Sequence, residues 1–144
     1  MSQSILHSIV RHFFPKRSFA SGTAECSRPE DLFPAMLAKL TSEKRWEWVT
    51  FEAAGTEGWV QVAFSDREFA LNLAYPFDDD PIKRLARQGI DIPQHWDLVF
   101  VETQKAITFT GPEKDLREFA AMVHAIFQKL FGCLPNYTVT AYLE

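Results

Sequence analysis

The chain has 144 residues, 47% of them hydrophobic and 24% charged, and a net charge of −4. This length and composition predict one globular domain with a substantial core. Residues 1–24 contain three basic side chains and no acidic one, so the rest of the chain holds the other 12 basic and all 19 acidic residues, a net charge of −7. That sign argues against nucleic acid binding, which requires a basic surface.

Two cysteines, Cys26 and Cys133, lie far apart in the sequence. Thiols in this arrangement are typical of a reducing compartment, and the sequence has no C-x-x-C pair to indicate a metal or redox site. No run approaches the roughly 20 apolar residues that a membrane-spanning helix needs. The sequence therefore predicts a cytoplasmic protein.

Residues 1–26 differ from the rest of the chain. Four apolar residues recur on one helical face before a proline ends the pattern: Leu6, Ile9, Val10, Phe13 and Pro15. A signal peptide would show a longer uninterrupted apolar run. We predict a flexible or loosely packed arm, or a helix laid on the domain, with a short membrane-interfacial helix at 5–14 as a weaker alternative. Residues 27–144 are predicted to form a single α+β domain.

The domain begins with a helix pattern followed by three strand patterns. Ser27-Arg28-Pro29-Glu30 matches a capping box and predicts a helix over 27–43. Strands are predicted at 46–52, 59–64 and 69–75. Because the loops between them are short, they should form an antiparallel meander. Tryptophans on the first two of these strands predict a cross-strand aromatic cluster: Trp46, Trp48 and Trp59.

The second half of the domain alternates shorter elements with one long helix. Asp80-Pro81 predicts a two-turn helix that ends at Gly89. Residues 98–101 are apolar on both faces, which predicts a strand covered on both sides. A further strand is predicted at 106–109. A helix should then run continuously from an N-cap at Thr110 to a left-handed Gly132, and a closing strand should occupy 137–143.

The predicted order is α-β-β-β-α-β-β-α with an extra C-terminal strand, an α+β fold with a mostly antiparallel, twisted sheet. Apolar residues occupy both faces of 46–52 and 98–101, whereas only three helices are available to cover them. This shortage of cover predicts a homodimer or a bound protein partner. The candidate interface residues are Trp46, Trp48, Trp59, Ile82, Leu85, Trp96, Leu98 and Phe100.

Motifs that carry chemistry are absent from the sequence. It contains no G-x-S-x-G, Walker loop, G-x-G-x-x-G or H-E-x-x-H. Asp78-Asp79-Asp80 lacks the alternate spacing of a calcium loop and is interpreted as a helix cap with solvated neighbours. His124 is predicted to be a partly buried structural residue, and Cys133 follows a helix C-terminus, which does not activate a thiol. We therefore predict a non-enzymatic protein with no catalytic, cofactor or metal residues.

Four segments carry a resemblance to a known family: Gly58-Trp59-Val60-Gln61-Val62, Asn72-Leu73-Ala74-Tyr75, the helix-glycine-Ile-x-x-Pro stretch at 85–93, and Phe131-Gly132. With the order of elements, residues 28–132 resemble type III secretion chaperones, and in particular the TY-Chap group of bacterial proteins. The resemblance implies a homodimeric, non-enzymatic chaperone-like protein that holds a client polypeptide or peptide. It places the dimer contact at 82–88 and 98–101. The N-terminal arm and the strand at 137–143 are additional to the family plan.

Two other functions remain open. An immunity or conflict-system protein would use the same surfaces for a single cognate partner. A small-molecule-binding or enzymatic domain would use a cleft between the sheet and residues 78–95, with Arg87, Asp91 and His95 as its polar groups. Convergence of these three side chains in a closed pocket would favour that second alternative, and a solvent-exposed arrangement would count against it.

Overall fold

A single antiparallel sheet forms the framework of the protein. The computed structural model describes residues 23–112 and 114–144, with the backbone alone for 23–26. The strand order is β1-β7-β2-β3-β4-β6-β5. The strands are β1 (Thr23–Ser27), β2 (Trp48–Ala53), β3 (Trp59–Ser65), β4 (Glu68–Ala74), β5 (Asp97–Glu102), β6 (Ala106–Pro112) and β7 (Val139–Leu143). The helices are α1 (Pro29–Ser42), α2 (Pro81–Arg87) and α3 (Leu116–Ala125), which continues as a π-helical segment, Ile126–Leu130.

The predicted α+β class, the antiparallel meander and the order of elements from α1 onward are confirmed, whereas strand β1 was not predicted. The extra C-terminal strand, β7, lies inside the sheet rather than at its edge. It pairs with β1 on one side, where Ala141 lies opposite Glu25, and with β2 on the other, where Ala141 lies opposite Phe51. The chain therefore completes its own sheet with β7. The predicted boundary between arm and domain falls inside β1, and the predicted helical pattern at 5–14 lies outside the described residues.

The three helices of the described residues pack on one side of the sheet, here called the front face. Their buried residues share one core with alternate residues of the strands: Val49, Phe51, Val60, Val62, Phe69, Leu71, Leu73, Ile107, Phe109, Val139, Ala141 and Leu143. Phe33 of α1 links the layers, because its ring meets Phe51 edge-on at 4.8 Å and stacks on Phe127 at 5.6 Å. Aromatic contacts of this kind add to the burial that stabilises a core.

The opposite side of the sheet, here called the back face, has a different character. Small and polar residues occupy its centre and are buried: Thr50, Gln61, Ala63, Ala70, Asn72, Ala74, Ala106, Thr108 and Thr110. Larger aromatic residues surround them: Trp48, Trp59, Phe100 and Tyr142. A separate apolar cluster of Trp48, Ala63 and Ala70 contains no residue of a described helix. The three described helices therefore cover the front face only.

Two predicted helix starts are wrong. Ser27 ends β1, and Arg28 is the N-cap of α1 without a side-chain hydrogen bond, so the predicted capping box does not form. β6 continues through Thr110 to Pro112, which pairs with Glu68 of β4. Helix α3 therefore begins only at Leu116. Asp115 caps it, accepting hydrogen bonds from the backbone N–H groups of Arg117 and Glu118 at 2.9 and 3.2 Å.

The predicted double cover of residues 98–101 is also wrong. β5 is the last strand of the sheet and pairs with β6 alone among the described strands. Leu98 packs against the front-face core, whereas Val101 is 50% exposed. The pairing shifts register between Leu98 and Phe100. Irregularities of this kind are common in edge strands.

The predicted tryptophan cluster does not form. The register places Trp48 opposite Ala63 and Trp59 opposite Glu52, so the two indoles lie at opposite ends of the β2–β3 pair. Trp46 precedes β2, and the guanidinium of Arg45 lies 4.3 Å from its ring centre. Alternating apolar residues predicted strands β2 and β3 correctly, but the register of the pair decides which side chains meet.

Candidate functional site

An open apolar cleft of about 520 Å³ lies at one end of the sheet. It is bordered by the β2–β3 loop, the β5–β6 turn, the start of the β4–α2 connection and the end of the π-helical segment. Five apolar side chains form its walls: Trp59, Pro76, Phe77, Leu130 and Phe131. Glu57, Gln104 and Lys105 provide polar groups. We call this the end cleft. Its size and its apolar walls with few polar groups are typical of ligand-binding sites.

Phe131 reaches the end cleft because the last helix changes its winding. Its backbone N–H donates to the carbonyl of Ile126 at 3.1 Å, a hydrogen bond over five residues that widens the turn. The ring of Phe131 then lies 5.3 Å from that of Phe127. It also packs directly on Gly58, where an added Cβ would overlap the ring. Gly132 follows with φ +72°, which confirms the predicted left-handed helix end.

Phe77, on another wall, is held by an ionic network around Asp79. The Tyr75 hydroxyl donates to Asp79 Oδ1 at 2.5 Å, and Arg84 contacts the same carboxylate through Nε at 2.9 Å and Nη2 at 2.7 Å. The Arg84 guanidinium also lies 3.7 Å from the centre of the Phe77 ring. This bidentate pair and cation–π contact fix the connection between β4 and α2.

The network changes the ionisation of two of its members. Hydrogen bonds from Arg84 and Tyr75 lower the pKa of Asp79 below its usual 3.8. Burial, followed by the hydrogen bond to Asp79, raises the pKa of Tyr75 to about 12. At neutral pH the network therefore contains a carboxylate, a guanidinium and a neutral phenol. These groups hold the cleft wall in position.

Because the pKa of Asp79 is lowered by folding, the carboxylate stabilises the fold above pH 3.8, and that contribution is lost as pH falls through the folded-state pKa. We expect Asp79→Asn to lower the melting temperature near neutral pH and to make it fall less steeply than in the wild type between about pH 5 and about pH 3. Thermal unfolding followed by circular dichroism measures both slopes. Asp78→Asn, at the exposed neighbour, is the matched control. Parallel pH curves for Asp79→Asn and the wild type would contradict the network's role.

The β5–β6 turn forms the polar side of the end cleft. Gln104 adopts φ +60°, and the Lys105 carbonyl accepts from the N–H of Tyr75 at 2.8 Å, which ties the turn to β4. Lys105 Nζ lies 3.3 Å from Glu102. The cleft thus combines an apolar interior with a cationic and an anionic side chain, Lys105 and Glu57, which suits an apolar group carried on a polar chain.

The eight predicted interface residues occupy different environments. Leu85 and Trp96 lie in the front-face core, 2% and 5% exposed, and so offer no surface to a partner. Ile82 is 51% exposed on α2, and Trp59 lines the end cleft. The remaining four are Trp48 and Phe100 on the back face, Leu98 against the core, and the half-buried Trp46. The structure therefore does not gather these residues into one patch.

The alternative polar site is not assembled either. Arg87, Asp91 and His95 are all exposed, and Arg87 contacts Asp79 at 3.5 Å. Asp91 borders a groove of about 350 Å³ beside Trp96, but Arg87 and His95 do not line it. The three side chains therefore do not converge in a closed pocket.

Two further motif interpretations can be compared with the structure. Asp80 caps α2 as predicted, accepting from the N–H of Ile82 at 2.9 Å, whereas Asp79 is ion-paired rather than solvated. His124 is half-buried and its Nδ1 lies 2.7 Å from the Tyr137 hydroxyl, in agreement with the predicted structural role. Within residues 23–112 and 114–144, no group of three or more His, Cys, Asp or Glu side chains could hold a metal ion. In the same ranges, no helix has the length and apolar character needed to cross a membrane.

Comparisons of the chain with protein-family models, with curated proteins and with solved structures give no match. The end cleft is therefore defined by geometry alone. Sequence reasoning missed its main components, Phe77, Lys105 and Phe131, because they come from three distant segments. The only local signal was the Gly58-Trp59 pair, where a residue without a side chain precedes a large aromatic one.

Proposed function

We propose that the protein is a non-enzymatic, cytoplasmic polypeptide-binding module with a bacterial type III secretion chaperone-like fold. In this proposal the end cleft holds an apolar side chain of a client polypeptide. The observation that carries the proposal is the open cleft of about 520 Å³ walled by Trp59, Phe77 and Phe131. Aromatic side chains that bury an anchor residue supply much of the affinity in protein recognition. The ionic network behind Phe77 and the packing of Phe131 on Gly58 hold these walls in place.

The neighbouring edge strand supports a polypeptide as the ligand. β5 pairs with β6 alone among the described strands, so its outer backbone N–H and C=O groups face away from the sheet. An extended peptide can add to such an edge by main-chain hydrogen bonds while its side chains enter pockets. β5 ends at Glu102, whose side chain contacts Lys105 of the end cleft. A client strand on β5 would therefore run toward the cleft.

A blocked cleft should abolish client binding without unfolding the protein. Glu57 is exposed and borders the cleft, so Glu57→Trp places an indole over its opening, while Glu57→Gln removes only the charge. Peptides selected from a random phage-displayed library on the wild type are the probes. We expect them to share a bulky apolar residue and to bind Glu57→Trp at least about tenfold more weakly by calorimetry, about 1.4 kcal/mol.

Glu57→Gln should retain the wild-type affinity. Equal binding to Glu57→Trp, or selection of peptides without an apolar anchor, would overturn the client proposal. The immunity-protein alternative uses the same cleft with one cognate partner. It is favoured if selection converges on one tightly bound sequence rather than on a diverse set.

Two exposed apolar residues support the homodimer as part of the proposal. The large hydrophobic side chains with high exposure in the described residues are Ile82 at 51%, Val101 at 50% and Leu134 at 71%. Ile82 lies on α2 and Val101 on β5, the two elements at which the family resemblance places the dimer contact. Leu134 follows the last helix and belongs to neither.

The double variant Ile82→Glu/Val101→Lys is expected to be monomeric at concentrations where the wild type is dimeric, because it places charges in an apolar contact. Sedimentation equilibrium measures the association constants. Leu134→Glu, which removes an exposed apolar residue elsewhere, should leave dimerisation unchanged. A wild-type protein that stays monomeric at high concentration would remove the dimer from the proposal.

A further inference from the structure

The back face requires a cover that the described residues do not supply. Ala70, Asn72 and Thr108 at its centre are 0% exposed, yet the described helices contribute their buried residues to the front-face core. The polar centre is partly satisfied within the sheet, since Gln61 Nε2 donates to Thr50 at 3.1 Å and the Thr108 hydroxyl donates to Asn72 at 3.0 Å. Gln61 Oε1 and Asn72 Nδ2 remain buried without a hydrogen-bond partner among the described residues. What remains for a partner is this polar row with alanines on both sides of it, surrounded by aromatic rings.

On the back face, small residues at the centre lie between larger aromatic residues, an arrangement here called the alanine groove. Ala63, Ala70, Ala74 and Ala106 lie on β3, β4 and β6 and allow close approach of another element. Trp48 and Phe100 flank them on β2 and β5. Such a groove fits one apolar helix face better than a second flat sheet.

The segment before β1 has the matching pattern. Wound as an α-helix, residues 5–14 place every apolar side chain on one half and every polar side chain on the other. The apolar half comprises Ile5, Leu6, Ile9, Val10, Phe13 and Phe14, and the polar half comprises His7, Ser8, Arg11 and His12. A helix of this kind requires an apolar partner surface for its stripe.

Charge complementarity favours this segment as the occupant. The strand positions that face the back carry four acidic residues and no lysine or arginine: Glu52, Glu68, Asp97 and Glu102. Of these, Glu102 already contacts Lys105 of the β5–β6 turn. Residues 1–22 carry Arg11, Lys16 and Arg17 and no acidic residue. Opposite charges at the edge of a contact guide its orientation and register.

The chain is long enough to reach the groove. β1 starts at Thr23 on the edge of the sheet, and five strand spacings separate it from β6, about 24 Å. The nine Cα–Cα steps from residue 14 to residue 23 span up to about 30 Å when the chain is extended. A ten-residue helix is about 15 Å long, enough to lie across about three strands.

We propose that residues 5–14 dock as an amphipathic helix on the back face of their own chain, with the apolar half of the helix on the alanine groove. The segment thereby closes the second side of the sheet and leaves the end cleft for a client. Docking in cis differs from a domain-swapped arrangement, in which the same segment of a second copy covers the groove.

Paramagnetic broadening of alanine methyl signals tests the proposal in the full chain. A nitroxide is attached at Ser8→Cys, on the polar half, in a chain carrying Cys26→Ser and Cys133→Ser. The reduced label supplies the reference spectrum. We expect loss of the Ala63 and Ala70 signals, while Ala120 of α3, on the other side of the sheet, keeps its signal.

Two controls separate the possible outcomes. Adding Val10→Asp, which places a charge in the apolar half, should restore the Ala63 and Ala70 signals. Persistent broadening in that variant would show a segment that is merely tethered nearby, and it would overturn docking. A second experiment mixes two kinds of chain: one carries the nitroxide but no isotope, and the other carries the isotope but no nitroxide. Broadening of the isotope signals in this mixture would assign the occupant to a second copy and overturn the cis arrangement. If the chain that carries both the isotope and the nitroxide shows no broadening of the Ala63 and Ala70 signals, the proposal is also overturned.

Discussion

Phe127→Ala is expected to lower the free energy of unfolding by about 3–5 kcal/mol. Phe127 is 0% exposed and lies between two layers. Its ring stacks on Phe33 at 5.6 Å and on Tyr137 at 5.8 Å, and meets Phe131 edge-on at 5.3 Å. Removal of the ring creates a cavity at the centre of the contacts that join α1, the π-helical segment and the residues before β7.

Urea unfolding followed by circular dichroism measures this loss. Since small domains are stable by about 5–15 kcal/mol, the variant should unfold at a much lower urea concentration. Leu134→Ala is the matched control, because it truncates an aliphatic side chain that is 71% exposed and should cost less than about 0.5 kcal/mol. Similar losses for the two variants would mean that the aromatic junction is not packed as described.

Gly111→Ala is expected to lower the free energy of unfolding by about 1–3 kcal/mol, although it adds only one methyl group. A Cβ at position 111 would overlap Cδ1 of Trp96. The indole cannot move away easily, because it is 5% exposed and packs between Phe69, at 6.3 Å, and Phe119, at 5.5 Å. The backbone of Gly111 requires no positive φ, so the clash alone accounts for the effect.

A double-mutant cycle with Trp96→Leu isolates that clash. In the Trp96→Leu background the ring is absent, and Gly111→Ala should cost less than about 0.5 kcal/mol, so that the two substitutions are strongly coupled. Equal costs of Gly111→Ala in both backgrounds would show that β6 tolerates no side chain at this position for a reason other than Trp96.

The elements from α1 onward followed from local patterns, but strand β1 and several boundaries did not. Thr110 and Asp115 are both acceptable N-caps, and the sequence pattern favoured the first. Pairing of β6 with β4 continues to Pro112, so Thr110 and Gly111 lie in the strand and not in the helix. Backbone hydrogen bonds to a neighbouring strand thus override a local helix-start signal. The π-helical turn at Ile126–Leu130 was likewise not predicted, because the spacing of apolar residues does not distinguish a π-helical turn from an α-helix.

The candidate site depended even more on contacts distant in sequence. The sequence identified Trp59 as a surface candidate, but the other walls of the end cleft, Phe77 and Phe131, have no pattern that brings them to it. Asp79 was interpreted as solvated because its pairing with Arg84 depends on how the β4–α2 connection bends. By contrast, capping of α2 by Asp80 was predictable, since it involves only adjacent residues.

The sequence by itself determined the α+β class, the order of the elements from α1 onward, the antiparallel meander, the cap of α2 and the left-handed end of the last helix. Periodicity, turn chemistry and capping act over a few residues, so they are present in the linear chain. Only the tertiary structure decided that β7 lies between β1 and β2, that β5 is an edge strand, and that Phe77 and Phe131 meet at one cleft. These features depend on strand register and on packing between distant segments, and local propensities do not encode either.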